Sequence, residues 1–356
     1  MIARTGLAVN SFSASILIWI LMTACSAAGD GLASFTPTPT AAPAPTAVVT
    51  PSPTPDALSP QLTPQPSPAP TAVGGSGASS MRLASVNDFL YQLQDINLSE
   101  IGSSAYDLVV MDYSAEGDEE SEFSRGEIER LRDSPGGSKI VLAYMSIGEA
   151  EDYRFYWQSR WREGDPSWID GENPDWQGNY KVRYWEPEWQ DIVLEYTTRI
   201  AEAGFDGVYL DIIDAYEYFL DDGRDSAPQE MADFVALVAE RGREINAGFL
   251  VFPQNGAELA RLVPEYLDTV DGIGQEDIYY GYDDDDHATP AEVTRDIESY
   301  LDLFRDEGKL VLTVDYANSR SNVDDAYRRS RNKGYVPFVT VRDLDRMTMN
   351  AGHAPD

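Results

Sequence analysis

The chain has 356 residues and a formal net charge of −35, with 61 Asp and Glu against 26 Lys and Arg. A field of this sign repels nucleic acid, so we expect no nucleic-acid partner. Only two histidines are present, His287 and His353, which excludes a multi-histidine zinc site and leaves no suitable Ser-His-Asp triad. Carboxylates therefore remain as the chemically active groups, and we expect neither a metal nor another cofactor.

Residues 1–24 have the pattern of a signal peptide. Arg4 provides a basic start, and residues 16–22 form an apolar core that is too short to span a membrane. The segment Leu21-Met-Thr-Ala-Cys25 resembles a bacterial lipobox, in which the cysteine is lipidated. We therefore predict lipidation at Cys25 and a secreted protein anchored by lipid to the outer face of the cell membrane. An ordinary secretory signal with an incidental cysteine is the alternative.

Residues 25–80 predict a disordered linker between the anchor and a globular domain. They are rich in Thr, Pro, Ala, Ser and Gly, with little apolar side chain to bury. Arg4 against Asp30 and Asp56 gives residues 1–80 a net charge of −1, so residues 81–356 carry −34. Their length suits one α/β barrel domain, which we expect to be a monomer.

Residues 81–356 alternate eight strand-like apolar runs with helical patterns. We predict strands at 89–94, 107–113, 139–146, 207–211, 249–254, 272–276, 309–315 and 335–341. We predict helices at 125–132, 187–203, 228–247, 257–269, 290–307 and 323–333. This order predicts an α/β fold of the (β/α)8 TIM-barrel type. An open doubly wound sheet would need a glycine-rich phosphate loop after its first strand, and none is present.

A long insertion, residues 149–186, follows the third predicted strand and is rich in aromatic residues. Aromatic faces beside a polar cleft can stack on the apolar faces of sugar rings. We expect most of these aromatics to pack the insertion onto the barrel and two or three to contact substrate, with Trp185 as a candidate.

Nearly every predicted strand ends in a residue that can form hydrogen bonds. In a TIM barrel these carboxyl ends meet at one mouth, where they would suit a polyhydroxylated ligand. Hydrolysis of a glycosidic bond needs one protonated and one ionised carboxyl group. Asp211 ends the fourth strand and Glu276 ends the sixth, so we predict that they face each other as the catalytic pair. A structural role stays open for each, such as an ion pair between Asp211 and Arg342.

Several longer motifs carry a resemblance to a known family. They are Met145-Ser-Ile-Gly-Glu149, the segment 173–185, the segment 204–211 and Gly274-Gln-Glu276. Together they resemble glycoside hydrolase family 114, whose characterised members are endo-α-1,4-polygalactosaminidases. The resemblance implies a (β/α)8 fold, with Asp211 as nucleophile and Glu276 as general acid/base. Five residues fall where the resemblance leads us to expect substrate-binding residues: Tyr144, Glu149, Tyr209, Asn255 and Asp315.

The expected substrate is a galactosamine-containing polysaccharide, which is a polycation when it is de-N-acetylated. A mouth lined by Asp112, Glu149, Asp214, Asp277 and Asp315 would bind its ammonium groups. The four aspartates at 283–286 could add to this field, or form a solvated loop or a loose calcium site. Two other functions stay open: a non-catalytic lipoprotein that binds an aminosugar polymer, and a glycosidase for another α-linked polysaccharide.

Overall fold

The barrel is built from eight parallel strands, and the computed structural model describes residues 81–356. The strands are β1 (Phe89–Gln92), β2 (Leu108–Met111), β3 (Ile140–Ser146), β4 (Gly207–Asp211), β5 (Leu250–Pro253), β6 (Gly272–Glu276), β7 (Leu310–Tyr316) and β8 (Val336–Thr340). All eight predicted strands are confirmed, with bounds that shift by at most two residues. The predicted signal peptide, Cys25 and the linker lie outside the described residues.

Backbone pairing follows chain order around the barrel. Parallel ladders join β1 through β5 and, separately, β6 through β8. The amide of Asn255 donates to the carbonyl oxygen of Gly274 at 2.9 Å and links the end of β5 to β6. β8 lies beside β1, where the Phe89 and Phe338 rings pack with centroids 5.6 Å apart. The fold is therefore the predicted (β/α)8 barrel.

Helices connect successive strands on the outside of the barrel. They are α1 (Leu98–Ser103), α2 (Arg125–Arg132), α3 (Pro187–Ala203), α4 (Ala215–Asp221), α5 (Ala227–Ile245), α6 (Leu259–Leu262), α7 (Tyr266–Thr269), α8 (Ala291–Asp306) and α9 (Arg320–Lys333). Gly204 and Gly334 end α3 and α9 with φ of 91° and 78°, a left-handed conformation that glycine adopts without strain. No helix within residues 81–356 is long and apolar enough to cross a membrane.

One predicted helix is wrong. The single helix expected over 257–269 is divided into α6 and α7, which flank Pro264. Proline has no amide hydrogen, and its ring clashes with the preceding turn, so it cannot continue an α-helix. The helices α1 and α4 were not predicted, because six or seven residues give too few turns for a helical period.

The insertion after β3 contains a small antiparallel sheet, which the sequence did not predict. Its strands are Glu149–Glu151, Ile169–Glu172 and Asn179–Val182, and we call it the insertion sheet. Buried Trp168 packs on Trp189 of α3 with ring centroids 5.0 Å apart, whereas Trp176 is 57% exposed. Several of the insertion's aromatics thus pack it onto the barrel, as expected.

Tyrosines fill the barrel interior below the mouth. Tyr209 of β4 is fully buried, and its ring packs on that of Tyr91 at 5.3 Å. A Cβ atom at Gly274 would lie 1.7 Å from the Tyr209 hydroxyl, which no side chain could tolerate. The Gly-x-Gly sequence in β6 is therefore explained by packing, because the tyrosine occupies the space that a side chain would need.

Candidate active site

Asp211 lies at the carboxyl end of β4, on the same face of the strand as Tyr209. The Tyr144 hydroxyl donates to Asp211 Oδ2 at 2.7 Å, and the Ile212 amide donates to Oδ1 at 2.8 Å. Burial raises the pKa of Asp211 to about 8, and the negative charge of Glu276 adds to that rise. Asp211 is therefore mostly protonated at neutral pH, although two donors favour its charged form.

Glu276, at the end of β6, is held by three hydrogen-bond donors. Gln254 Nε2 and Asn255 Nδ2 both donate to Oε2, the latter at 3.1 Å, and the Tyr316 hydroxyl donates to Oε1. Gln254 is itself fixed by the Tyr91 hydroxyl, which donates to its Oε1 at 2.9 Å. Donors aimed at both carboxylate oxygens hold the Glu276 side chain in one orientation at the mouth.

Asn255 forms hydrogen bonds with both the backbone and the carboxylate of Glu276. Its Oδ1 accepts from the Glu276 amide at 3.1 Å and from Gln275 Nε2 at 2.9 Å, while its Nδ2 donates to the Glu276 carboxylate. Asn255 has a φ of 60°, a left-handed conformation that Asn tolerates better than most residues. The predicted site residue thus lies at the site and orients Glu276.

The two carboxyl groups form one electrostatic unit. The charge on Glu276 is the second cause of the raised Asp211 pKa, so the two groups interact directly. Glycosidic hydrolysis requires one protonated and one ionised carboxyl group, and the raised pKa of Asp211 favours a protonated Asp211 at neutral pH. The alternative in which Asp211 pairs with Arg342 does not occur. Arg342 instead contacts Asp277 at 3.0 Å and Asp285 at 2.8 Å.

Further carboxylates surround the pair. Burial raises the pKa of Asp214 to about 6 and that of Asp277 to about 7, and in both the charge of Glu276 contributes to the rise. Glu149 is 3% exposed, and its pKa is also raised by burial. Asn173 donates to Glu149 at 2.9 Å and fixes it within the insertion. Several carboxyl groups therefore lie together at the mouth, where burial removes the water that would solvate their charged forms.

Asp112 and Asp315 are engaged in structural contacts and do not reach the mouth as free carboxylates. Asp112 forms a buried ion pair with Arg154 at 2.8 Å, and Arg154 also binds Glu151 at 2.6 Å. Asp315 is 1% exposed and accepts hydrogen bonds from the amides of residues 279 and 280 at 2.6 and 2.8 Å. These contacts correct the expectation that both line the mouth: each secures a loop.

The four aspartates at 283–286 do not converge on one point. Asp285 binds Arg342, whereas Asp286 accepts from the amides of Asn318 and Ser319 at 3.0 Å, just before α9 begins. Within residues 81–356 no group of three or more His, Cys, Asp and Glu side chains is arranged to hold a metal ion.

This barrel and its paired carboxylates can be compared with known proteins. Residues 71–354 match the model of glycoside-hydrolase family GH114. The chain belongs to family GH114. It is therefore a glycoside hydrolase, and the resemblance of the sequence motifs to this family is confirmed.

Relatives of this GH114 chain extend across bacteria and archaea. It is 40% identical over 272 residues to an uncharacterized protein from Methanocaldococcus jannaschii, covering 73% of this chain and 77% of that protein. It is 37% identical over 277 residues to an uncharacterized protein from Thermotoga maritima, covering 74% and 83%.

Two solved structures have the same fold as this GH114 domain. The glycoside hydrolase domain of PelA from Pseudomonas aeruginosa superposes with a TM-score of 0.56 at 18% identity, covering 73% of this chain and 97% of that one. Ega3 from Aspergillus fumigatus, solved in complex with galactosamine, gives a TM-score of 0.55 at 16% identity, covering 73% and 92%.

Two residues of the GH114 site, Gln254 and Tyr316, were absent from the predicted set although both touch Glu276. Strand alternation favoured Asp315 over its neighbour Tyr316, because Thr313 and Asp315 make one face of β7 more polar than the face that carries Tyr316. Tyr209 was predicted to bind substrate, but it is fully buried beneath the mouth. Trp185 lies at a separate cavity beside the loop that joins α4 to α5.

Proposed function

We propose that this GH114 protein is an extracytoplasmic enzyme that cleaves α-1,4-linked galactosamine-containing polysaccharide with Asp211 and Glu276. The observation that carries the proposal is the pair itself: two coupled carboxyl groups, each held by donors, at the mouth of a GH114 barrel. The extracytoplasmic location and the lipid anchor at Cys25 are supported by the signal pattern in the sequence.

In the proposed reaction one carboxyl group donates a proton to the glycosidic oxygen while the other, ionised, acts at the anomeric carbon or on water. Because burial raises the pKa of Asp211 to about 8, we infer that Asp211 carries the proton before substrate binds. The family resemblance implies Asp211 as nucleophile. That role requires the proton to pass to Glu276 when substrate binds, and a cationic sugar beside Asp211 would favour this transfer by stabilising its charged form.

A cationic substrate is supported by the charge of the mouth. Glu149 and Asp214 lie near the pair with pKa values raised by burial, so a bound ammonium group would stabilise their charged forms. The globular part carries a net charge of −34, which would attract a polycation over longer distances. Galactosamine bound to Ega3 is consistent with an aminosugar substrate for this fold.

The substrate prediction is tested by counting new reducing ends on de-N-acetylated and on N-acetylated polygalactosamine at low salt. We expect the free-amine polymer to be cleaved at least about tenfold faster, with the difference shrinking as salt screens the charges. Equal rates on both polymers would show that the negative charge of the mouth does not select a cationic substrate. Tight binding without any cleavage would favour the non-catalytic lipoprotein instead.

A further inference from the structure

A cavity of about 570 Å³ lies between the end of the insertion and the loop that joins α4 to α5. It is lined by Trp185, Phe219, Arg183, Arg224, Asp222 and Asp225, among others. None of these residues hydrogen-bonds to Asp211 or Glu276. Its volume falls within the usual range of small-ligand pockets, roughly 300–1,000 Å³.

One wall of this cavity is aromatic and rigidly held. The Trp185 and Phe219 rings meet edge to face, with centroids 4.7 Å apart. The Arg224 guanidinium lies 3.7 Å from the Trp185 ring centroid, and Glu230 fixes it through two bonds of 2.6 and 2.8 Å. Arg224 Nη1 makes no hydrogen bond within the described part of the chain. It is therefore available to donate to a hydroxyl group next to an apolar surface.

The charge that remains uncompensated in the cavity is negative. Asp170 neutralises Arg183 at 2.9 Å, and Glu230 neutralises Arg224. Asp222 and Asp225 are exposed, and neither side chain forms a hydrogen bond or an ion pair with any residue in the range 81–356. An aromatic wall, a free guanidinium donor and two free carboxylates are together suited to a hydroxylated ring that carries an ammonium group.

The position of α4 relates this cavity to the catalytic pair. The helix begins directly after Asp214, three residues beyond Asp211, and ends at Asp221, beside the cavity wall. Seven helical residues rise about 10 Å, so the end of α4 at the cavity lies about that far from the end that follows Asp214.

We propose that the cavity is a distal subsite that binds an ammonium-bearing sugar of the polymer, away from the bond that is cleaved. The proposal rests on the proposed function for the identity of its ligand. It assigns the wall to Trp185 and Arg224 and the ammonium contacts to Asp222 and Asp225. Long chains would reach both sites at once, and short oligomers would reach the catalytic pair alone.

Chain length separates the two sites in an activity measurement. We compare the full-length parent with D222N/D225N and W185A on a ladder of de-N-acetylated galactosamine oligomers. The ratio of kcat/KM between long and short oligomers should fall about tenfold in both variants, mainly through a higher KM for long chains. The control D233N/E240Q removes two acidic charges from an exposed face of α5 and should keep the parent ratio. A ratio unchanged in D222N/D225N and W185A would overturn the proposal.

Binding measured without turnover distinguishes failure of the subsite from failure of the proposed function. In an E276Q background, calorimetric titration with a long oligomer should give a Kd about tenfold higher when D222N/D225N is added. If D222N/D225N weakens binding but the parent itself cleaves no polymer, the subsite is supported and the proposed reaction is refuted. Normal cleavage by the parent, with affinity and chain-length ratio unaffected by D222N/D225N, would remove the subsite alone.

Discussion

Asp211 and Glu276 differ in the groups that hold them, and this difference defines the chemistry of the site. Asp211 receives one phenol and one amide, and burial keeps its pKa at about 8. Glu276 accepts hydrogen bonds from three side-chain donors, which hold both of its carboxylate oxygens. Because the two groups interact, the apparent pKa values in a pH profile of kcat/KM will belong to the pair and not to either residue alone.

The pH profile of kcat/KM tests this view of the pair. We expect activity to fall as pH rises through about 8, where the pair loses its shared proton. The Tyr144 hydrogen bond lowers the pKa of Asp211, so Tyr144→Phe should move this alkaline limb to higher pH. The control Tyr266→Phe removes a buried hydroxyl that has no partner and should leave the limb in place. An alkaline limb that moves to lower pH in Tyr144→Phe would contradict the assignment of this limb to the Asp211–Glu276 pair.

The sequence predicted some of these residues because their roles follow from position. Asp211 and Glu276 were found because polar residues at strand ends of a barrel meet at its mouth, and Asn255 was found through the family resemblance. Asp112 was selected for its charge, yet that charge is compensated by Arg154 from a loop far along the chain. Such a partner cannot be found from spacing alone, and the same holds for the donors that Gln254 and Tyr316 supply to Glu276.

At the scale of elements, the barrel strands were predictable and the insertion was not. Strands buried on both faces are read as continuous apolar runs, which is why β2, β3 and β8 are unambiguous. The insertion sheet uses strands of three or four residues, such as Asn179–Val182, whose mixed polarity carries no clear period. Their pairing depends on contacts with the barrel that the sequence does not display.

The close approach of β4 and β6 gives a prediction for stability. Gly274→Ala should lower the free energy of unfolding by about 1–3 kcal/mol, since the new methyl group would overlap fully buried Tyr209. It should also reduce activity, because Glu276 lies two residues further along β6 on the same face. Urea unfolding and the reducing-end assay measure the two effects. Gly171→Ala is the control, with nothing within 4 Å of its added Cβ. Equal stability of Gly274→Ala and the parent would refute the packing argument.

For the whole molecule, acidic charge and buried carboxyl groups together make stability depend on pH. Burial raises the pKa to about 8 for Asp211, 7 for Asp277 and Asp315, and 6 for Asp214. Their ordinary value is 3.8, so between pH 4 and pH 8 the folded state binds more protons than the unfolded state. Stability from these groups is therefore greatest at acidic pH and is lost as pH rises through that window.

Thermal unfolding between pH 5 and pH 8.5 tests this linkage. We expect Tm to fall across the range in the parent and to fall less steeply in Asp211→Asn, which cannot ionise at that position. Added NaCl should raise Tm most at the alkaline end, because it screens the repulsion among a net charge of −34. A Tm that rises from pH 5 to pH 8.5 would show that these buried carboxyl groups do not govern stability.

Hydrolysis of a galactosamine polymer by Asp211 and Glu276 together is tested by the rate at which new reducing ends appear. We predict that Asp211→Asn and Glu276→Gln each lower kcat on de-N-acetylated polygalactosamine by about 10²- to 10⁴-fold, with circular dichroism unchanged. Asp268→Asn removes the same charge from an exposed position of α7 and should retain the parent rate. A parent-like rate in either variant would show that the substituted carboxyl group is not catalytic.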